Sequence, residues 1–204
     1  MNKPRSLLIA MLSLAGPQIA QAHLVSTGLG PLYDGVTHFA LTPEDGLPVA
    51  ALALFAGLRG PAYARMLLGV LPLAWFAGGL IGVFAVPIQP SVLLIATALI
   101  LLLIGGALAA NLELPLRAGA MLCAALGLTR GAADLSDVAL SVSSIATLCG
   151  MSLGVFVVFA LAASVSLPLR RFWSIIATRI AGSWLAALGL LLAGWIIRYG
   201  DKLQ

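Results

Sequence analysis

Apolar residues fall in six long blocks, at 43–58, 62–86, 89–110, 112–129, 144–167 and 174–198. Each is long enough for a helix that crosses most of a bilayer, a span that takes about 20 residues. The blocks are separated by short clusters of helix-stopping and polar residues: Arg59-Gly60-Pro61, Pro87-Ile88-Gln89-Pro90, Asn111-Leu112-Glu113 and Pro168-Leu169-Arg170-Arg171. In hydrocarbon every backbone N–H and C=O must be satisfied internally, so such blocks predict a helical bundle. The expected fold is an all-α integral membrane protein with six transmembrane helices and no separate soluble domain.

The residues before the first block follow a different pattern. Lys3 and Arg5 make a basic start, 7–15 a short apolar core, Gly16-Pro17 a break and Ala20-Gln21-Ala22 an A-x-A site. This predicts a cleaved signal peptide over 1–22, with an apolar run too short to span. The mature six-helix domain is then 23–204 and begins at His23. Composition agrees with a membrane protein: 61% of residues are hydrophobic and 9% charged, against about 25% charged in ordinary soluble domains. Mean hydropathy is +1.10.

Basic residues near helix ends are retained preferentially in the cytoplasm. With a translocated His23 terminus, Arg59, Arg65, Arg117, Arg170, Arg171 and Arg179 fall inside, and Arg130, Arg198 and Lys202 outside. The chain is therefore expected in a bacterial inner membrane, multi-pass, with both mature termini extracytoplasmic. Under that topology Asp34, Glu44, Asp45, Asp134, Asp137 and Asp201 lie on the outer side, leaving Glu113 on the inner one. An acidic outer mouth raises the local concentration of cations.

The remaining features exclude several function classes. Basic residues are not gathered into a stripe with exposed aromatics, so no nucleic-acid partner is expected. Cys123 and Cys149 stand singly in apolar runs and read as packing residues. No nucleophile stands beside a base in sequence, so the chain is not expected to be an enzyme or to hold a permanent cofactor. Gly78 and Gly82, and Gly150 and Gly154, have the spacing that permits close helix contact. Trp173, Trp195 and Tyr199 stand where interfacial anchors are expected. The bilayer is the implied partner, and a homo-oligomer is left open.

Both histidines and three of the seven acidic residues lie between 23 and 48. Thr42-Pro43-Glu44-Asp45 resembles a helix start, with Thr42 as N-cap, Pro43 at the first position and acids in the first turn. A helix from there to Arg59 is about 24 Å long against a hydrocarbon core of about 30 Å, so it begins below the outer surface. Capping alone accounts for Glu44 and Asp45 but not for the nearby Asp34 and His38. If 34–38 is helical, the i, i+4 spacing lets Asp34 orient the imidazole. Asp34, His38, Glu44 and Asp45, together with His23 at the new terminus, form a candidate cation-ligating set.

The fourth block offers a second polar end in "LGLTRGAADLSD", with Thr129, Arg130, Asp134 and Asp137. Helices one and four hold corresponding places in two three-helix halves, and short polar-ended segments in matching halves point to a transporter's binding site. Asp134 therefore joins the candidate ligands. The alternative is that Arg130 pairs with Asp134 in a solvated loop.

The run "HLVSTGLGPLYDGVTHF", the following "TPEDGLPVAALALFAGLRGP" and the six-helix pattern resemble the HupE/UreJ family, across essentially the whole mature chain. The resemblance implies a membrane accessory protein of hydrogenase or urease systems, and a nickel or cobalt permease with no ATPase partner of its own. The better-known branch carries H-P-x-x-x-x-D-H at the start of its first helix. In "HFALTPED" His38 matches the first histidine, Glu44 the acid, and Asp45 replaces the last histidine. Its H-G-x-A-H-G motif corresponds to "RGAADL", where Arg130 and Asp134 stand in place of histidines and Gly131 and Ala133 are kept. Imidazole suits nickel, whereas carboxylates suit harder cations, so the chain resembles a divergent branch. The expected function is a secondary permease for a divalent cation, nickel first and cobalt next; the competing expectation is a membrane scaffold that docks an extracytoplasmic partner without transport.

Overall fold

The computed structural model describes residues 27–84, 89–136, 138–166 and 172–199. The expected signal peptide at 1–22 and the candidate ligand His23 lie outside the described residues. Among the described residues seven helices follow in order: α1 Pro31–Leu41, α2 Pro43–Leu58, α3 Pro61–Gly82, α4 Pro90–Ala109, α5 Leu116–Asp134, α6 Val142–Ser166 and α7 Phe172–Tyr199. No strand occurs among the described residues.

Helices α3, α4, α6 and α7 are long and apolar enough to cross a membrane. Helices α1 and α2 form a fifth span if taken together, bent by 76° where they meet. Against the six spans expected, the described residues hold four, or five with the bent pair. Helix α5, at 19 residues, is long enough but less apolar, because it carries Arg117, Arg130 and Asp134. The six apolar blocks do not include α1; the helix considered for 34–38 is present and extends over Pro31–Leu41.

Proline marks the first turn of α1, α2, α3 and α4, where its missing N–H costs nothing and its fixed φ suits the helix. The link between α2 and α3 is short because Gly60 adopts φ 107°, a conformation that side chains disfavour. At the other end of α2, Thr42 is the N-cap residue as the sequence suggests, but its side chain makes no capping bond. Its hydroxyl donates back to the carbonyl of His38 at 2.7 Å. Thr42 therefore ties the two helices together across the bend.

Small residues set the packing. Gly78 meets Leu128 and Gly127, Gly82 meets Ala132, Gly119 meets Tyr63, and Gly131 meets Trp75 and Gly79. Residue numbers rise together along this interface, so α3 and α5 run parallel in close backbone contact. Gly35 lies on Thr147, Gly150 on Leu32 and Val36, and Gly154 on the Phe39 ring, while Gly57 reaches Ala163 and Ser166. The bent α1–α2 unit thus follows α6 along much of its length. Gly105 and Gly182 bring α4 against α7 in the antiparallel sense, with Gly189 opposite Ala98 and Leu102. The spacing of Gly78 and Gly82, and of Gly150 and Gly154, serves close helix contact as expected.

Trp75, Phe55, Phe159, Leu52, Leu67 and Leu148 fill the fully buried centre. Large apolar side chains such as Leu73, Met121, Leu161 and Leu191 point outward, as lipid-facing surfaces require. Cys123 is buried, as expected of a packing residue, whereas Cys149 is exposed.

Candidate metal site

His38 occupies the last turn of α1, and Asp45 the first turn of α2 on the other side of the bend. Asp134 is the last residue of α5. A ring nitrogen of His38 and one carboxylate oxygen from each of Asp45 and Asp134 all lie within 4.8 Å of one another. Three residues from three helices, two of them 89 positions apart, are thereby brought to one point.

Each member is held by its surroundings. Phe39, next to His38, is wedged between Gly154 of α6 and the edge of Trp75, with ring centroids 5.7 Å apart at 89°. That contact fixes the depth of α1 and with it the height of the imidazole. Trp75 Nε1 donates to Asp134 Oδ2 at 3.0 Å. Trp75 is fully buried, so its N–H needs a partner inside the protein. Asp45 is 1% exposed and pairs with Arg130, which is 4% exposed. Both Arg130 Nε and Nη2 are directed at the same oxygen, Asp45 Oδ1. Arg130 Nη1 donates to Thr97 Oγ1 of α4 at 3.2 Å. Asp45 Oδ2 is buried and has no hydrogen-bond partner among the described residues.

These contacts redraw the set expected from sequence. His38, Asp45 and Asp134 come together. Glu44 is exposed and stands outside the cluster, because on α2 it is one residue, about 100° of helix, away from the face that carries Asp45. Asp34 lies on α1 with His38, as the spacing anticipated, but its Oδ1 accepts from Thr27 N and Thr27 Oγ1, each at 2.6 Å. Among the described residues it makes no hydrogen bond to His38, because the chain entering α1 folds back to cap it. Arg130 is in a helix rather than a solvated loop, and its partner is Asp45 rather than Asp134. Trp75 and Thr97 were not anticipated. Their signal in the sequence was faint: an indole N–H and a hydroxyl, each isolated within an apolar block where no water can satisfy it.

One imidazole and two carboxylates suit a borderline or moderately hard divalent cation. The orphan oxygen of Asp45 carries the same implication, since a buried carboxylate oxygen without a donor is costly unless a cation or water comes to it.

The fold is that of a helical membrane protein in which three potential cation ligands, His38, Asp45 and Asp134, meet beside a helix break. The chain belongs to the HupE / UreJ protein family, whose model matches residues 9–192. This is a family of hydrogenase and urease accessory membrane proteins. No curated protein and no solved structure matches the chain.

Proposed function

We propose that the chain is a secondary permease for a divalent transition-metal cation, nickel first and cobalt next, supplying the maturation of a hydrogenase or urease. The observation that supports this reading best is the meeting of His38, Asp45 and Asp134 at the bend between α1 and α2. Discontinuous helices are where transporters place ion sites, because the break frees polar groups at depth. A docking scaffold needs its polar groups turned outward, and Asp45 is turned inward. In this reading α5 is the remaining span, its glycine face packed along α3, and the protein lies in a bacterial inner membrane with both mature ends outside. The metal enters from the acidic outer side.

Substitution of ligand and non-ligand carboxylates tests the assignment. His38→Ala should reduce uptake of radioactive nickel by tenfold or more below saturation, equivalent to about 1.4 kcal/mol of lost binding. Glu44→Gln, exposed and outside the cluster, should stay within about twofold of the parent. Uptake is measured in cells and normalised to protein in the membrane. Normal uptake of nickel, cobalt and manganese by His38→Ala would remove the proposal and leave the scaffold.

The support given by Trp75 is separately measurable. Trp75→Phe keeps an aromatic ring against Phe39 but deletes the donor to Asp134. Loss of a hydrogen bond that orients a ligand costs about 10- to 100-fold in metal affinity. Nickel titration of the purified protein should show a weakening of that order, with the protein still extracted as a folded species.

A further inference from the structure

Arg130 is out of place in a cation site. Its guanidinium is buried, always charged, and paired with a carboxylate that the proposed metal needs. It repels a divalent ion and lowers the affinity of the site, so its presence calls for a reason other than binding.

The reason lies in the empty site. Asp45 and Asp134 present oxygens within 4.8 Å of each other and of His38, and Asp45 is sealed from solvent. Without a cation or another countercharge, an ionised Asp45 would stand unpaired beside Asp134 in a medium that screens poorly, which disfavours any closed conformation. Arg130 supplies one positive charge from within the chain. Its grip is also one-sided: Nε and Nη2 share Asp45 Oδ1, leaving Oδ2 free to receive a metal. The third nitrogen has a second anchor in Thr97, whose hydroxyl proton is already committed to the carbonyl of Leu93 at 2.9 Å, so its oxygen is open to accept. The guanidinium therefore has somewhere to remain when it gives up Asp45.

We propose that Arg130 is a tethered substitute for the cargo: it neutralises Asp45 in the metal-free carrier, is displaced toward Thr97 when a divalent cation binds, and so permits the empty carrier to reorient. This rests on the permease reading. It makes the protein a carrier capable of net uptake rather than one confined to swapping metal for metal. A site lacking the arginine holds its carboxylates closed only around a cation, and each crossing then requires cargo.

The experiment compares two fluxes of radioactive nickel in vesicles reconstituted with the full processed chain. Net uptake is measured into metal-free vesicles, and exchange into vesicles preloaded with unlabelled nickel. The parent should perform both. Arg130→Ala should lower the ratio of net uptake to exchange tenfold or more, and Arg130→Lys, which retains the charge, should recover that ratio. Arg130→Gln, which keeps a polar N–H donor without charge, should behave as the alanine variant and serves where alanine fails to insert. An unchanged ratio of net uptake to exchange in either neutral variant overturns the proposal, and so does loss of both fluxes in both neutral variants. A parent protein with neither flux sinks the permease reading itself.

Discussion

Asp45→Ala is expected to cost about 3–5 kcal/mol of stability, the range found when one partner of a buried ion pair is removed and the other is left charged. Arg130 is 4% exposed and takes two of its three described hydrogen-bonding and ionic contacts from Asp45, so little else compensates it. The same substitution removes a ligand, and nickel uptake should fall by more than tenfold. The two losses separate in the double variant Asp45→Ala with Arg130→Met. Replacing both charges by apolar groups removes the orphaned cation, so stability should return to within about 1–2 kcal/mol of the parent, while uptake stays absent. Unfolding can be followed in detergent by thiol labelling of buried Cys123, with exposed Cys149 changed to Ser. A double variant as unstable as the single one would show that Asp45 holds the bundle by something other than Arg130.

The second large effect is expected at Gly150. A Cβ there would fall against the backbone of Leu32 and Val36, and backbone cannot rotate aside as a side chain can. Gly150→Leu should push α1 off α6, costing 1–3 kcal/mol or more by overpacking. His38 rides on α1, so the imidazole moves away from Asp45 and Asp134 and uptake should fall at least tenfold. Gly106→Ala and Gly69→Ala provide the contrast: both glycines are inside helices, and a Cβ at either meets nothing within 4 Å. There the gain in helix propensity should stabilise the protein by about 0.5–1 kcal/mol. Equal stability and uptake in Gly150→Leu and the parent would mean that α1 does not depend on this contact for its position.

The helices were legible because lipid leaves a long apolar signature, and α2 in particular matched its sequence pattern at both ends, from Pro43 to the Arg59 cap. The site was legible only as an inventory. His38 and Asp45 announced themselves as ionisable groups in an apolar chain, and Asp134 by its place at the end of the fourth block. Which acid would turn inward was not readable: Glu44 and Asp45 are adjacent, and their fates depend on where α5 lies. The pairing of Arg130 with Asp45 spans 85 positions and depends on a parallel contact between α3 and α5 that glycine spacing suggests without naming the partner. Asp34 was misread for a local reason. Thr27, seven residues upstream, competes for the same carboxylate and wins with two donors.

The distance in sequence between Asp45 and Arg130 bears on biogenesis. Helix α2 is synthesised well before α5, and at about 5–20 residues per second the intervening 85 positions take roughly 4–17 s to translate. During that interval Asp45 is unmatched, and at the centre of an isolated span such a charge would cost about 2.5–3.5 kcal/mol to insert. The sharp turn at Thr42 eases the wait, because it puts Asp45 in the first turn of its helix, where a shallow position keeps the carboxylate near water. Nascent chains arrested before residue 130 should accordingly leave Asp45 open to solvent, and chains arrested after α5 has emerged should close over it.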